Sequence, residues 1–188
     1  MSTEQGKLLL QIARAAIAGE LGRAAFADES APWLTEKAAC FVTLTKQGQL
    51  RGCIGSLRAY RSLLADVKNN AVSAAFRDSR FEPLTVEEFD ITDIEISLLS
   101  SAQSMTVRDE ADALAQLRPH MDGVIFEYGH HRSTFLPQVW EQLPQPREFL
   151  AHLKLKAGFP ADFWAEGVKL SRYTVIKYCE HEYSGGKP

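Results

Sequence analysis

From Glu4 to Arg23 the apolar residues Leu8, Leu9, Ile12, Ala16 and Ile17 recur at helical spacing. Ser2 and Gln5 stand as a capping box ahead of them, which predicts an amphipathic first helix. A polar, proline-marked stretch follows from Ala27 to Glu36. Alternation then takes over: Cys40, Val42 and Leu44 interleave with Phe41, Thr43 and Thr45, and the Gln47-Gly48 corner precedes Leu50 to Leu57. This predicts a hairpin. Leu63, Leu64, Val67, Ala71, Ala74 and Ala75 return to helical spacing between Arg61 and Asp78, and their small residues suit close packing on a sheet.

Thr85 and Glu88 form a second capping-box pattern at a short turn, before Ile91 to Leu99 alternates strongly. Ile94, Ile96 and Leu98 take one face of that strand, and Asp93, Glu95 and Ser97 the other. Arg108 to Leu117 predicts a helix. Gly123 to Tyr128 with Ser133 to Leu136 predicts a hairpin turning at Gly129-His130-His131. Pro137, Pro146 and Pro160 each stand where proline can open a helix, and Gly158 suits a helix terminus. Val168 to Cys179 reads as a final strand before a polar tail. This order lacks the regular strand-helix alternation of a doubly wound fold, so an α+β protein with a mostly antiparallel sheet is expected.

Composition narrows the classes. A chain of 188 residues supports one well-cored domain, and its 45% hydrophobic and 24% charged residues are those of an ordinary soluble protein. The net charge of -3, with scattered basic residues, argues against nucleic acid and against a membrane surface as partners. No stretch approaches the roughly 20 apolar residues of a membrane helix, and the first residues do not fit a secretory signal. Cys40, Cys53 and Cys179 are odd in number and lack metal-type spacing. Reduced thiols in the cytoplasm are therefore expected, with no metal and no cofactor.

Candidate chemistry centres on Arg51-Gly52-Cys53-Ile54-Gly55. Strand parity puts Arg51 and Cys53 on one face, and a neighbouring guanidinium favours the reactive thiolate. Gly52 and Gly55 carry no side chains and would let a ligand approach the backbone. Glu95 shares a polar strand face with Asp93 and Ser97; in the same sheet it could serve as a base, or neutralise Arg51. Asp78 and Arg80 follow the alanine-rich helix, where Arg80 suits a carboxylate or phosphate ligand, although such a pair more often caps a helix or ties a loop to its neighbour. Each has a plainer alternative, Cys53 as a small buried hydrophobe above all. His130 and His131 diverge in a turn and lack further ligands. No phosphate loop, serine elbow or Cys-x-x-Cys pair is present.

Several ordered motifs together resemble a known family. They are Leu50-Arg51-Gly52-Cys53-Ile54-Gly55-Ser56-Leu57, Ala75-Phe76-Arg77-Asp78-Ser79-Arg80-Phe81-Glu82-Pro83-Leu84 and Ile94-Glu95-Ile96-Ser97-Leu98-Leu99-Ser100, then Thr134-Phe135-Leu136-Pro137-Gln138-Val139-Trp140 and Phe149-Leu150 through Lys156-Ala157-Gly158. The chain resembles an AMMECR domain, whose prokaryotic form is called AmmeMemoRadiSam system protein A. That resemblance implies one α+β domain over residues 1–188, with a larger and a smaller lobe and the cysteine segment near a cleft. It also implies a pathway neighbourhood, with a Memo-like protein and a radical SAM enzyme as partners, rather than a reaction. Two functions are consistent with these residues. One is a cytosolic enzyme using Cys53, Arg51 and Glu95 on a small organic substrate. The other is a noncatalytic binding or regulatory module, in which Gly52, Gly55, Asp78 and Arg80 line a site for a small molecule or peptide.

Overall fold

The computed structural model describes residues 2–183; Met1 and the tail 184–188 lie outside the described residues. Helix α1 (Thr3–Glu20) opens on the expected capping box, Ser2 accepting from the Gln5 amide while the Gln5 side chain accepts from the Ser2 amide. Strands β1 (Ala39–Lys46) and β2 (Gln49–Gly55) form the hairpin. Its two-residue loop puts both Gln47 (φ 52°) and Gly48 (φ 75°) in the left-handed region, the twist that suits a tight hairpin. Helix α2 (Leu63–Phe76) starts at Ser62, and the short α3 (Val86–Phe89) carries the Thr85–Glu88 capping box. β3 (Thr92–Leu99) is followed by β4 (Gln103–Met105), α4 (Glu110–Gln116), β5 (Gly123–Tyr128) and β6 (His131–Phe135). After a 3₁₀ turn at Pro137–Glu141 come α5 (Pro146–Lys156), β7 (Lys169–Tyr173), β8 (Val175–Cys179) and the one-turn α6 (Glu180–Tyr183).

Among the described residues these strands form two four-stranded sheets, ordered β2-β1-β3-β8 and β4-β7-β5-β6. The described residues up to Leu99 and from Ile176 onward form one compact unit, and Ser100–Val175 the other. The fold is α+β with antiparallel sheets, as expected, but the run Val168 to Cys179 is not one strand. It divides at Thr174, which accepts from the Ser100 amide at 2.9 Å and donates its own amide to the Ser100 hydroxyl at 2.9 Å. A continuous β-branched run carries no mark of a strand that changes sheets. Pro160 likewise opens a turn rather than a helix, because Phe163 folds back to stack on Phe159 with ring centroids 4.4 Å apart.

In the first unit α1 and α2 cover one face of the sheet, burying Leu9, Ile12, Ile17, Val67 and Ala74 against Val42, Leu44, Ile94 and Ile96. The helices come close because the sequence is small where they touch. A Cβ on Gly52 would lie 2.1 Å from the Ala74 carbonyl oxygen, and one on Gly6 2.1 Å from the Tyr178 ring. In the second unit Trp140 stacks on Phe149 with centroids 3.8 Å apart and donates its indole N–H to the Asp122 carbonyl at 2.7 Å.

Candidate functional site

The face of the first sheet turned away from α1 and α2 carries the candidate chemistry. Its register aligns Cys53 of β2, Thr43 of β1 and Glu95 of β3 in one row. The Thr43 hydroxyl donates to Cys53 Sγ at 3.2 Å, and Cys53 is half-buried. Glu95 lies in the same row but two strand spacings from the thiol, about 9.5 Å. Its carboxylate is engaged with neighbours on its own side: Ser97 at 3.3 Å, Lys177 at 3.5 Å and the Cys179 thiol at 3.5 Å. Parity brings Glu95 onto the face of Cys53 without bringing it into reach.

Arg51 behaves differently from the alternation argument. The register shifts between Leu44, opposite Gly52, and Thr45, opposite Leu50, so Arg51 falls in a β-bulge. A bulge bends the strand and re-aims side chains. The guanidinium makes a two-pronged ion pair with Glu88, at 3.2 and 2.9 Å, and donates to the Glu82 carbonyl at 2.8 Å. Lys46 joins the same carboxylate at 2.9 Å. Arg51, and next Lys46, hold Glu88 down at about 2. The charge of Arg51 is thus given to Glu88, the same residue that closes the capping box of α3.

The cation at the cysteine is Arg80. Asp78, buried at the end of α2, accepts the Cys53 amide at 2.8 Å, and Arg80 donates to the Cys53 carbonyl at 3.3 Å. Arg80 binds Asp78 through Nε at 2.9 Å and Nη2 at 2.6 Å. These bonds, opposed by burial, hold the Asp78 carboxyl well below the usual carboxylate range. β2 is an edge strand, whose outward amide and carbonyl would otherwise face water or another chain. Asp78 and Arg80 close that edge at Cys53 and fix its peptide.

The two glycines of the motif take different places. The space at Gly52 lies on the helix face and is filled by the Ala74 carbonyl. Gly55 faces the other way, beneath Phe41, whose ring would lie 2.2 Å from an added Cβ. His131 Nδ1 donates to the Ala157 carbonyl at 3.0 Å, and the ring packs on Phe159.

A second polar cluster went unread in the sequence. Asp66, fully buried in α2, accepts from the Cys40 amide at 2.8 Å, the Ser56 hydroxyl at 2.7 Å, Arg61 Nε at 2.7 Å and the Asn70 amide at 3.0 Å. Burial first, and then the Asp66 charge, push the Cys40 thiol far above its ordinary range. The available signal was Asp66 and Asn70, four apart among the inward-facing Leu63, Val67 and Ala74: polar residues at core positions of a helix need buried partners.

Three comparisons bear on this arrangement. The AMMECR1 family model matches residues 10–178. The chain belongs to the AMMECR1 family. Among its relatives, Protein MJ0810 of Methanocaldococcus jannaschii is 38% identical over 194 residues, covering 98% of this chain and 94% of the relative. A protein of Methanothermobacter thermautotrophicus is 36% identical over 189 residues, covering 96% of each. The crystal structure of the uncharacterized protein PH0010 from Pyrococcus horikoshii superposes with a TM-score of 0.78 at 31% identity, over 94% of this chain and 92% of that one. The AMMECR1 match therefore takes in Arg51, Cys53, Asp78, Arg80 and Glu95 together. No helix among the described residues is long and apolar enough to cross a membrane.

Proposed function

We propose that Cys53 is the working thiol of a cytoplasmic AMMECR1-family enzyme acting on a small organic substrate. One observation carries this reading. The Cys53 peptide is held on both sides by Asp78 and Arg80, while its half-buried sulfur receives a hydroxyl hydrogen bond from Thr43. The Thr43 hydroxyl orients the sulfur, and a fixed peptide keeps it in one position. Arg80, about half exposed, is paired with Asp78 and reaches the Cys53 carbonyl rather than the sulfur, and its exposed edge suits a carboxylate on the substrate. A Memo-like protein and a radical SAM enzyme, the partners implied by the resemblance, belong to this proposal as the source or destination of that substrate.

Alkylation tests it directly. With a small haloacetamide at neutral pH, Cys53 should label at least about tenfold faster than the sealed Cys40. Equal, slow labelling of both would remove the chemical basis of an enzyme. The pairing of Arg51 with Glu88 favours a second reading, a noncatalytic binding module in which Cys53 only packs. Under it, Cys53→Ser retains cellular function and Arg80→Ala loses it; under the enzyme reading a folded Cys53→Ser chain is inactive.

A further inference from the structure

Where β8 runs into α6, Cys179, His181 and Glu182 bring a sulfur, an imidazole nitrogen and a carboxylate oxygen within 4.8 Å of one another. Glu95 of β3 stands behind the sulfur, its Oε2 accepting from the Cys179 thiol at 3.5 Å. Its other oxygen, Oε1, is the one taken by Ser97 at 3.3 Å and by Lys177 at 3.5 Å. Glu95 is thus oriented with one oxygen anchored and the other on the Cys179 thiol. We infer that Cys179, His181 and Glu182 form a binding site for a divalent transition-metal ion, zinc above all.

The donor set decides the class of ion. One sulfur, one nitrogen and one carboxylate oxygen, three protein donors with water as the fourth, suit the tetrahedral preference of zinc. Calcium and magnesium take oxygen ligands only, and more of them. The backbone is pinned for the purpose. Glu180, between the ligands, takes a two-pronged ion pair from Arg14 of α1 and accepts the Ile94 amide at 2.8 Å, so the residues on either side of it are not free to drift. Glu95, held by Ser97 and Lys177, backs the Cys179 sulfur as the hydrogen-bonding groups behind a metal ligand usually do. Both His181 and Glu182 are exposed, which leaves an entry path from water.

On binding, the Cys179 S–H bond breaks, its proton leaves to water, and the sulfur's electron pair forms the bond to the metal. The site lies at and beyond the end of the family match at residue 178, and it is separate from Cys53.

The test uses the full chain, stripped with a chelator and titrated with zinc or cobalt chloride alone. One equivalent should bind, cobalt should show a sulfur-to-metal charge-transfer band, and zinc should protect Cys179 but not Cys53 from alkylation. His181→Ala and Glu182→Gln change exposed side chains and should fold normally, each weakening zinc binding at least about tenfold. Cys53→Ser should leave binding unchanged, which separates this outcome from that of the thiol-enzyme reading. Absence of stoichiometric binding, cobalt bound without the sulfur band, or undiminished affinity in the His181→Ala/Glu182→Gln double variant would each overturn the site. Those readouts stand even where Cys179→Ser fails to fold.

Discussion

Cys40 and Cys53 are held by the same device. In each case an aspartate accepts the cysteine amide at 2.8 Å, and an arginine pairs with that aspartate: Asp66 with Arg61 at Cys40, Asp78 with Arg80 at Cys53. The outcomes are opposite. Cys40 points into the helix-covered face, fully buried beside Asn70, where desolvation opposes its thiolate. Cys53 points to the other face, half-buried, with a hydroxyl donor on its sulfur. The same backbone clamp serves both cysteines; strand parity decides which one looks outward.

The largest break in this comparison should come from Asp66→Ala. It strips partners from the Cys40 amide, the Ser56 hydroxyl, Asn70 and the Arg61 guanidinium at once, and should cost about 3–5 kcal/mol in urea unfolding. Asp78→Ala, beside a half-exposed arginine on an edge strand, should cost less, about 1–3 kcal/mol. Equal losses would mean that the two clamps do not differ in kind. Between these falls Gly52→Ala, whose methyl must displace the Ala74 carbonyl and with it α2; a loss of about 2–3 kcal/mol is expected by the same measurement.

Acid should sharpen the picture. Asp78 and Glu88 bind protons more weakly in the folded chain than in the unfolded one. Their contribution is complete above the unfolded carboxylate pKa of about 4 and is lost as pH falls below it, through about 2 for Glu88 and lower still for Asp78. Stability of the native chain should therefore drop across that window. Glu88→Gln, which no longer titrates, should drop less steeply by about 1–2 kcal/mol; parallel curves would deny the Arg51–Glu88 pairing its weight. The smallest effect is expected from Arg51→Lys on Cys53 alkylation, a change of no more than about twofold, because the charge at position 51 is already neutralised. A tenfold slowing would return Arg51 to the thiol.

Local pattern made much of this legible. Both capping boxes, the Gln47-Gly48 hairpin and the alternation of β3 are short-range arrangements, and each stands where the sequence predicts it. Asp78 and Arg80 were recognisable as a pair, because they are two residues apart. Their hold on Cys53, 25 residues distant for Asp78, was not. Thr43 was readable as a residue of the Cys53 face only once the hairpin register was known, and Glu88 as a helix cap but not as the partner of Arg51. Interactions within a few residues are dictated by backbone geometry that sequence encodes directly. Interactions across strands depend on register and bulges, which one inserted residue shifts.

By itself, then, the order of apolar and polar residues determined the element sequence, the α+β class and, through its ordered motifs, the kinship with AMMECR1 proteins. Only the tertiary structure decided that the last β-rich run serves two sheets, that Gly52 makes room for α2, that a bulge turns Arg51 to Glu88, and that Arg80 takes its place beside Cys53. The reason is physical. Periodicity reports which face of an element is buried, whereas the partner of a charge is chosen by whichever opposite charge packing brings within about 3 Å.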